Sequence, residues 1–287
     1  MMGRSHVASG WCSGVLAGSA LPLPPAAVIG FGCVGAGAAA LNDLDHDDSS
    51  ATRALGRLSH LLADLVQAYA RWVYRRTRGP GDPRHRGAHR GATHALPLLP
   101  LPCTVLAGLP WAASVIGAAV AALAGWDGEL VSRWAGAGVV AAVIGFCLLV
   151  AADRLGSRFL VAAGMAAGVA CSWQFGIEDP VQTLVLMAPW VALAVLVGTV
   201  THVLGDLVTE HGLCALAPLY RVNAGTSQER RWVRVALPKW LAFKTGQWFE
   251  HRVVFPLLVV AAVLVTPGVW PLVVSAAAAV INIGWLG

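Results

Sequence analysis

Charged residues are scarce in this chain. Asp, Glu, Lys and Arg make up only 12% of the sequence, whereas an average soluble domain carries about 25%. Hydrophobic residues make up 57%, and the mean hydropathy is +0.66. This composition excludes an ordinary soluble globular protein and predicts an integral membrane protein.

Several familiar sequence motifs are also missing. No two of the six cysteines have C-x-x-C spacing, and most lie in apolar runs, so they are interpreted as small buried residues and not as disulfides or thiolate metal ligands. The absence of an H-E-x-x-H motif disfavours an intramembrane metalloprotease. The first apolar run has no convincing cleavage site, so we do not expect a cleaved signal peptide.

The apolar runs predict an all-α, polytopic bundle of membrane helices, since about 20 apolar residues cross the hydrocarbon core. The first run, 7–41, is interrupted by Pro22, Pro24 and Pro25, which predicts a helical hairpin with its turn at the prolines. Further spans are predicted at 96–124, 134–152, 159–177 and 183–208, and two shorter apolar segments at 253–266 and 269–286.

Two basic segments separate these apolar regions. The first is rich in arginine, and its apolar residues recur at helical spacing from Leu55 to Val73, which predicts an amphipathic helix lying on the membrane or packed on the bundle. Placing both segments in the cytoplasm leaves Arg133 as the only one of the 20 Lys and Arg residues outside, as the positive-inside rule requires. Both termini are then predicted to be cytoplasmic.

The chain is therefore predicted to be a single membrane-embedded domain. Its parts are a helical hairpin with an acidic motif, a basic cytoplasmic loop, a four-span core, a second basic cytoplasmic segment and a C-terminal apolar pair, at 1–48, 49–95, 96–208, 209–252 and 253–287. The net charge of +5 is attributed to the cytoplasmic loops. Nucleic acid is disfavoured as a partner, because the arginines are not interleaved with an aromatic platform.

Histidines and aspartates gather near the predicted cytoplasmic face. His6 opens the first helix, the hairpin ends in "NDLDHDDSS" (42–50), "HRGATH" (89–94) enters the third span, and "THVLGD" (201–206) ends the sixth. His202 and Asp206 are one helical turn apart on one face. Ionisable groups in membrane segments are usually functional, and imidazole with carboxylate suits Zn, Mn or Fe.

These motifs, in this order, resemble the LexA-regulated, membrane-bound metal-dependent hydrolases, the YdjM-like family. That family has an N-terminal His, a P-D-I-D-H block, an H-R-G-x-T-H-S block and an H-x-x-x-D block followed by T-x-x-G. The resemblance covers about residues 4–220. Asn42 and Ala95 stand where the family has Pro and Ser, and neither change removes a candidate ligand.

The resemblance implies a metal-dependent hydrolase, distantly similar to zinc-dependent phospholipase C. One or two divalent ions, Zn or else Mn or Fe, would be bound by side chains from all four motifs: His6, Asp43, Asp45, His94, His202 and Asp206. A bridging aspartate between two ions would be Asp43 or Asp45. His211 follows the last motif one residue earlier than the phospholipase pattern requires.

Catalytic roles are expected in the "HRGATH" block. His89 is either a ligand or a general acid, Arg90 is either a phosphate clamp or a positive-inside anchor, and Thr93 orients a ligand. His46 and Asp48 are left as supporting or solvated residues. The expected substrate is a phosphoester, with a phospholipid or other lipid phosphate favoured by the location among membrane lipids. The alternatives are a divalent-metal transporter and a non-catalytic membrane protein with a structural metal.

Overall fold

A computed structural model of the chain describes residues 2–45, 49–53, 56–84, 91–156, 179–223, 229–238 and 240–269. The fold is an all-α membrane bundle, as predicted. Its helices are α1 (Gly3–Ser19), α2 (Pro25–Leu41), α3 (Ser50–Arg53), α4 (Arg57–Thr77), α5 (Pro100–Ala124), α6 (Gly128–Leu155), α7 (Pro180–Met187), α8 (Val191–Leu207) and α9 (Phe255–Val265).

Short elements connect these helices. The 3₁₀ turns are Asn42–Asp45, Ala92–His94, Leu96–Leu98 and Ala188–Trp190, and a π-helical turn, Glu250–Val254, precedes α9. Two short antiparallel strands, β1 (Val222–Asn223) and β2 (Glu229–Arg230), pair within the second basic segment.

The predicted N-terminal hairpin is present. α1 ends at Ser19, and α2 begins at Pro25. Proline fits at this position because the backbone N–H groups of a helix's first turn have no acceptor within the helix, so the N–H that proline lacks would not have made a helical hydrogen bond. The two helices pack along each other. Each has 17 residues, which corresponds to about 26 Å, and the 3₁₀ turn Asn42–Asp45 extends α2 into a helical stretch of 21 residues.

Among the described residues, four helical stretches are long and apolar enough to cross a membrane: Pro25–Asp45, Leu96–Ala124, Gly128–Leu155 and Pro180–Leu207. They confirm the predicted spans at 96–124, 134–152 and 183–208. α6 begins earlier than predicted because Asp127 caps it, accepting hydrogen bonds from the backbone N–H groups of Glu129 and Leu130. In the sequence alone, polar residues such as these are typical of a loop as well as of a helix cap. The predicted span 159–177 and most of the segment 269–286 lie outside the described residues.

Glycines allow α2 to occupy the centre of the bundle. A Cβ atom added to Gly35 would lie only 2.6 Å from the carbonyl oxygen of Gly10 on α1, and one added to Gly198 on α8 would overlap the carbonyl oxygen of Gly35. Such small residues permit the close backbone approach that stabilises helix pairs in membranes. The three helices that carry His6, Asp43 and His202 are therefore held in direct backbone contact.

The amphipathic helix predicted at 55–73 is present as α4. Its small side chains, including Ala63, Ala70 and Val73, are buried against the rest of the protein, while Leu61 and Leu65 on the opposite face are more than half exposed. α4 contacts the 3₁₀ turns at Asn42–Asp45 and Ala92–His94. One of its faces thus packs on the bundle beside the predicted metal ligands.

The two basic segments fold together. Asp82, at the end of the first, is buried and accepts hydrogen bonds from the backbone N–H groups of Arg231 and Trp232 in the second. The buried Trp232 ring contacts Tyr74 of α4 edge to face, with centroids 5.2 Å apart. These contacts fix the segment that follows α8 against α4.

Candidate metal centre

Histidines and aspartates from four parts of the chain meet at one end of the bundle. His6 comes from the second turn of α1, Asp43 and Asp45 from the 3₁₀ turn after α2, His94 from the turn before α5, and His202 with Asp206 from the end of α8. Asn42, which replaces the family's proline, donates a hydrogen bond to the Thr199 carbonyl at 3.1 Å. This bond ties the end of α2 to α8.

Ligand-type atoms of four side chains lie close to one another. The Nε2 atoms of His94 and His202 are 3.2 Å apart. Asp43 Oδ1 lies 3.6 Å from His202 Nε2, and Asp206 Oδ2 lies 3.9 Å from His94 Nε2 and 3.8 Å from His202 Nε2. Within the part of the chain that the structure describes, two groups could hold an ion: His6, His202 and Asp206 form one, and Asp43, His94 and His202 form the other.

The hydrogen bonds of the two histidines assign their tautomers. His202 Nδ1 lies 2.5 Å from the Ala39 carbonyl oxygen, which only accepts, so Nδ1 carries the proton. Thr93 donates its hydroxyl proton to Asp45, and its oxygen therefore accepts the proton of His94 Nδ1, 2.9 Å away. In both neutral rings the Nε2 atom is left with a lone pair.

These lone pairs lie close to each other and to two carboxylates, an arrangement that repels unless a proton or a metal cation lies between them. Tetrahedral zinc with bonds of about 2.0–2.1 Å places its ligand atoms about 3.3–3.4 Å apart. The separations of 3.2–3.9 Å are close to that value. The chemistry and the spacing of the donor atoms thus fit a divalent ion.

His6 contacts the centre from the side of α1. Its Nε2 lies 3.1 Å from Asp206 Oδ1, and its ring stacks on His202 with centroids 3.8 Å apart. Its Nδ1 is buried and has no hydrogen-bond partner among the described residues. Through these contacts His6 orients both Asp206 and His202, and it also belongs to one of the two groups that could hold an ion.

Asp45 lies behind His94, away from the Nε2 atom of that ring. Its Oδ2 accepts the Thr93 hydroxyl at 2.6 Å and is 3.5 Å from His94 Nδ1, the nitrogen on the far side of the ring. A carboxylate in this position fixes the orientation of a ligating imidazole and raises its basicity. The sequence predicted direct ligation by Asp45 and an orienting role for Thr93, and in the structure both side chains lie next to His94 Nδ1.

The surroundings of His94 favour positive charge. Burial disfavours the imidazolium form, but the hydrogen bond with Asp45 and the negative charges of Asp45, Asp206 and Asp43 outweigh it and raise the pKa of His94. A site that stabilises a proton on a fully buried ring also stabilises a metal cation. The electrostatics therefore favour a cation at this position, either a proton on His94 or a metal ion in its place.

The centre is closed on most sides. His6, His94, His202 and Asp206 are at most 2% exposed. The Asp43 side chain is 20% exposed, and Arg154, which donates from Nη2 to Asp43 Oδ2 at 2.8 Å, is 21% exposed. Solvent can therefore reach the centre next to Asp43 and Arg154.

Arg154 is a member of the site that the sequence did not reveal. It ends a predicted span, where the positive-inside rule already accounts for an arginine. The predicted residues His46, Asp48, His89 and Arg90 lie outside the described residues. His211 is exposed and belongs to neither group that could hold an ion.

Comparison with known proteins identifies the family of this chain. No curated protein and no solved structure matches the chain significantly. A family model described as YdjM inner membrane protein matches residues 1–274, a range that includes every histidine and aspartate of the centre. The chain belongs to the YdjM inner membrane protein family.

Proposed function

We propose that this protein is a metal-dependent phosphoester hydrolase of the membrane surface. The observation that carries the proposal is the combination of a buried His/Asp donor set with one accessible edge, at Asp43 and Arg154. Structural metal sites are closed, whereas catalytic sites keep a position open to water or substrate. A donor set open at one edge is the arrangement that hydrolysis needs.

The donor set favours a single zinc ion at a time, with Mn or Fe as the alternatives. Both groups that could hold an ion include His202, and the lone pair of one Nε2 atom binds only one metal. The ligands proposed are His94, His202, Asp43 and Asp206, and His6 joins them if the ion lies in its group. A second ion would need residues outside the described ones.

The protein side chains have distinct proposed tasks. Thr93 and Asp45 hold His94 in the tautomer that binds metal, the Ala39 carbonyl does the same for His202, and His6 holds Asp206. When bound, the ion supplies a Lewis acid that polarises a phosphoryl oxygen and lowers the pKa of water. His89 remains the proposed general acid and Arg90 a proposed phosphate clamp, both on the grounds of the sequence.

A lipid phosphate is the proposed substrate class. The donor residues stand at the ends of two candidate membrane helices, Pro25–Asp45 and Pro180–Leu207, where a headgroup can approach without leaving the bilayer. A transporter would instead hold its ion near the midplane. The position of the ligands along the helices therefore favours hydrolysis over transport.

Turnover tests this function directly. We expect the zinc-loaded protein in lipid nanodiscs to release phosphate or an alcohol from one of a set of lipid phosphates and soluble phosphodiesters. Chelation and the substitution His94→Ala should abolish release, while His211→Ala, a change at an exposed histidine outside the centre, should leave it unchanged. Bound zinc with no turnover on any substrate would indicate a structural site, and zinc flux into proteoliposomes would indicate a transporter.

We also propose that the centre faces the cytoplasm. α7 and α8 run from Asp179 to the centre, so Asp179 belongs to the opposite surface, where it pairs with Arg133 at 3.3 Å. In whole cells of a cysteine-free variant, a membrane-impermeant thiol reagent should label Asp179→Cys. Arg78→Cys, on the exposed side of the basic segment, should react only after permeabilisation. The reverse labelling pattern would refute this orientation.

A further inference from the structure

Arg154 is the positively charged group at the accessible edge of the centre. We propose that its guanidinium binds a phosphoryl oxygen of the substrate next to the metal. This inference rests on the proposed hydrolase function and assigns the anion-binding part of the same site to α6. It extends the site to a residue outside all four sequence motifs.

The contacts of Arg154 leave hydrogen-bonding capacity unused. Nη2 donates to Asp43 Oδ2, but Nε is buried and has no acceptor among the described residues. Guanidinium presents five N–H donors in a fixed fork that matches phosphate oxygens. A buried donor without an acceptor is costly, and the 21% of the side chain that is exposed is where an anionic oxygen can reach the guanidinium.

Asp43 connects Arg154 to the donor atoms of the metal. Its Oδ1 faces His202 Nε2 at 3.6 Å, while its Oδ2 accepts from Arg154 at 2.8 Å. The guanidinium is thus one carboxylate away from the proposed ion, on the side that solvent reaches. A phosphoryl group spanning the same interval would contact both the ion and Arg154.

The net charge of the centre also favours an anion-binding role for Arg154. Among the described residues of the centre, three carboxylates (Asp43, Asp45 and Asp206) and one guanidinium leave two negative charges, which one divalent ion neutralises. The loaded centre then has no excess positive charge to attract a phosphate. The guanidinium at the opening supplies local attraction where the substrate enters.

Gly3 gives the Arg154 side chain its position. A Cβ atom added to Gly3 would lie 2.5 Å from Arg154 Cδ and 2.9 Å from its Nε. The arginine therefore lies directly on the backbone of the first turn of α1. A methyl group at Gly3 would displace the guanidinium without removing any charge or ligand.

Binding of inorganic phosphate to the zinc-loaded, full-length protein in phosphatidylcholine nanodiscs tests the proposal without turnover. Arg154→Gln should retain zinc and weaken phosphate binding about ten- to hundredfold, the range expected for a charge-assisted hydrogen bond. Arg154→Lys, which keeps the charge and loses the fork, should fall between wild type and Arg154→Gln. Phosphate affinity unchanged in Arg154→Gln would overturn the proposal.

A second pair of variants separates anion binding from support of Asp43. Gly3→Ala should weaken phosphate binding, while Gly145→Ala on α6, where an added Cβ meets nothing within 4 Å, should not. Loss of zinc in both Arg154→Lys and Arg154→Gln would overturn the proposal, because Arg154 would then serve only the metal ligand Asp43.

Phosphatidic acid in the nanodisc distinguishes the two sources of a phosphoryl group. Arg154-dependent competition with inorganic phosphate would support a lipid phosphate as ligand, and phosphate binding that phosphatidic acid leaves unchanged would support a soluble one. The outcome is independent of catalysis. A protein that binds phosphate through Arg154 yet hydrolyses nothing would refute the proposed function and retain the anion site.

Discussion

Replacing His202 and Asp206 together with alanine is expected to abolish metal binding. The pair supplies two of the three ligand atoms of one group that could hold an ion, and His202 also belongs to the other. Loss of a residue that merely supports a ligand already lowers metal affinity 10–100-fold. Removal of two ligands should therefore lower it by more than about 100-fold.

Elemental analysis of purified protein measures this effect. Wild type should carry about one equivalent of transition metal, because one Nε2 atom cannot serve two ions, and the double variant should carry almost none. His211→Ala is the matched control, since this histidine is exposed and lies only five positions beyond Asp206. A double variant with the metal content of wild type would eliminate the proposed centre.

The second large effect is expected from a single methyl group added to a residue that is not itself a candidate ligand. In Gly198→Ala, the new Cβ would overlap the carbonyl oxygen of Gly35 and lie 2.8 Å from the Ala38 Cβ. Backbone cannot move aside as a flexible side chain can, and overpacking of this kind costs about 1–3 kcal/mol. The substitution should also push α8 away from α2 and displace His202, which is bonded to the Ala39 carbonyl.

The melting temperature in detergent and the metal content together report both consequences. Both should fall in Gly198→Ala. Gly145→Ala is a control in which the melting temperature should rise instead of fall. Its Cβ has free space, and alanine favours a helix by about 1 kcal/mol over glycine. A melting temperature that rises equally in the two variants would show that α2 and α8 are not packed through Gly198.

The sequence predicted the gathering of these residues better than their individual roles. Helix breaks at prolines and the distribution of arginine were enough to place the four motifs at one end of the bundle. They could not separate Asp43 from Asp45. The two residues lie in a 3₁₀ turn, where positions two apart point to different sides. One carboxylate can therefore face His202 while the other lies behind His94.

Arg154 could not have been found from local sequence. Its contact with Asp43 joins positions 111 residues apart, and nothing in "AADRLG" differs from an ordinary cytoplasmic end of a span. The glycine contacts were equally hidden, because Gly35 and Gly198 resemble many other glycines in apolar runs. Which glycines meet backbone depends on how the helices cross, and this is a property of the tertiary structure.

The hydrogen bond between His202 and Ala39 has a consequence for biosynthesis. Its partners are 163 positions apart, so at 5–20 residues per second the ribosome finishes α2 about 10–30 s before it reaches α8. During that interval the hairpin carries His6 and Asp43 without the histidine that joins both candidate ion-binding groups. If the proposed centre binds its ion through His202, metal loading is a late step of assembly, and in a pulse-chase experiment it would mark the moment at which α8 has joined the hairpin.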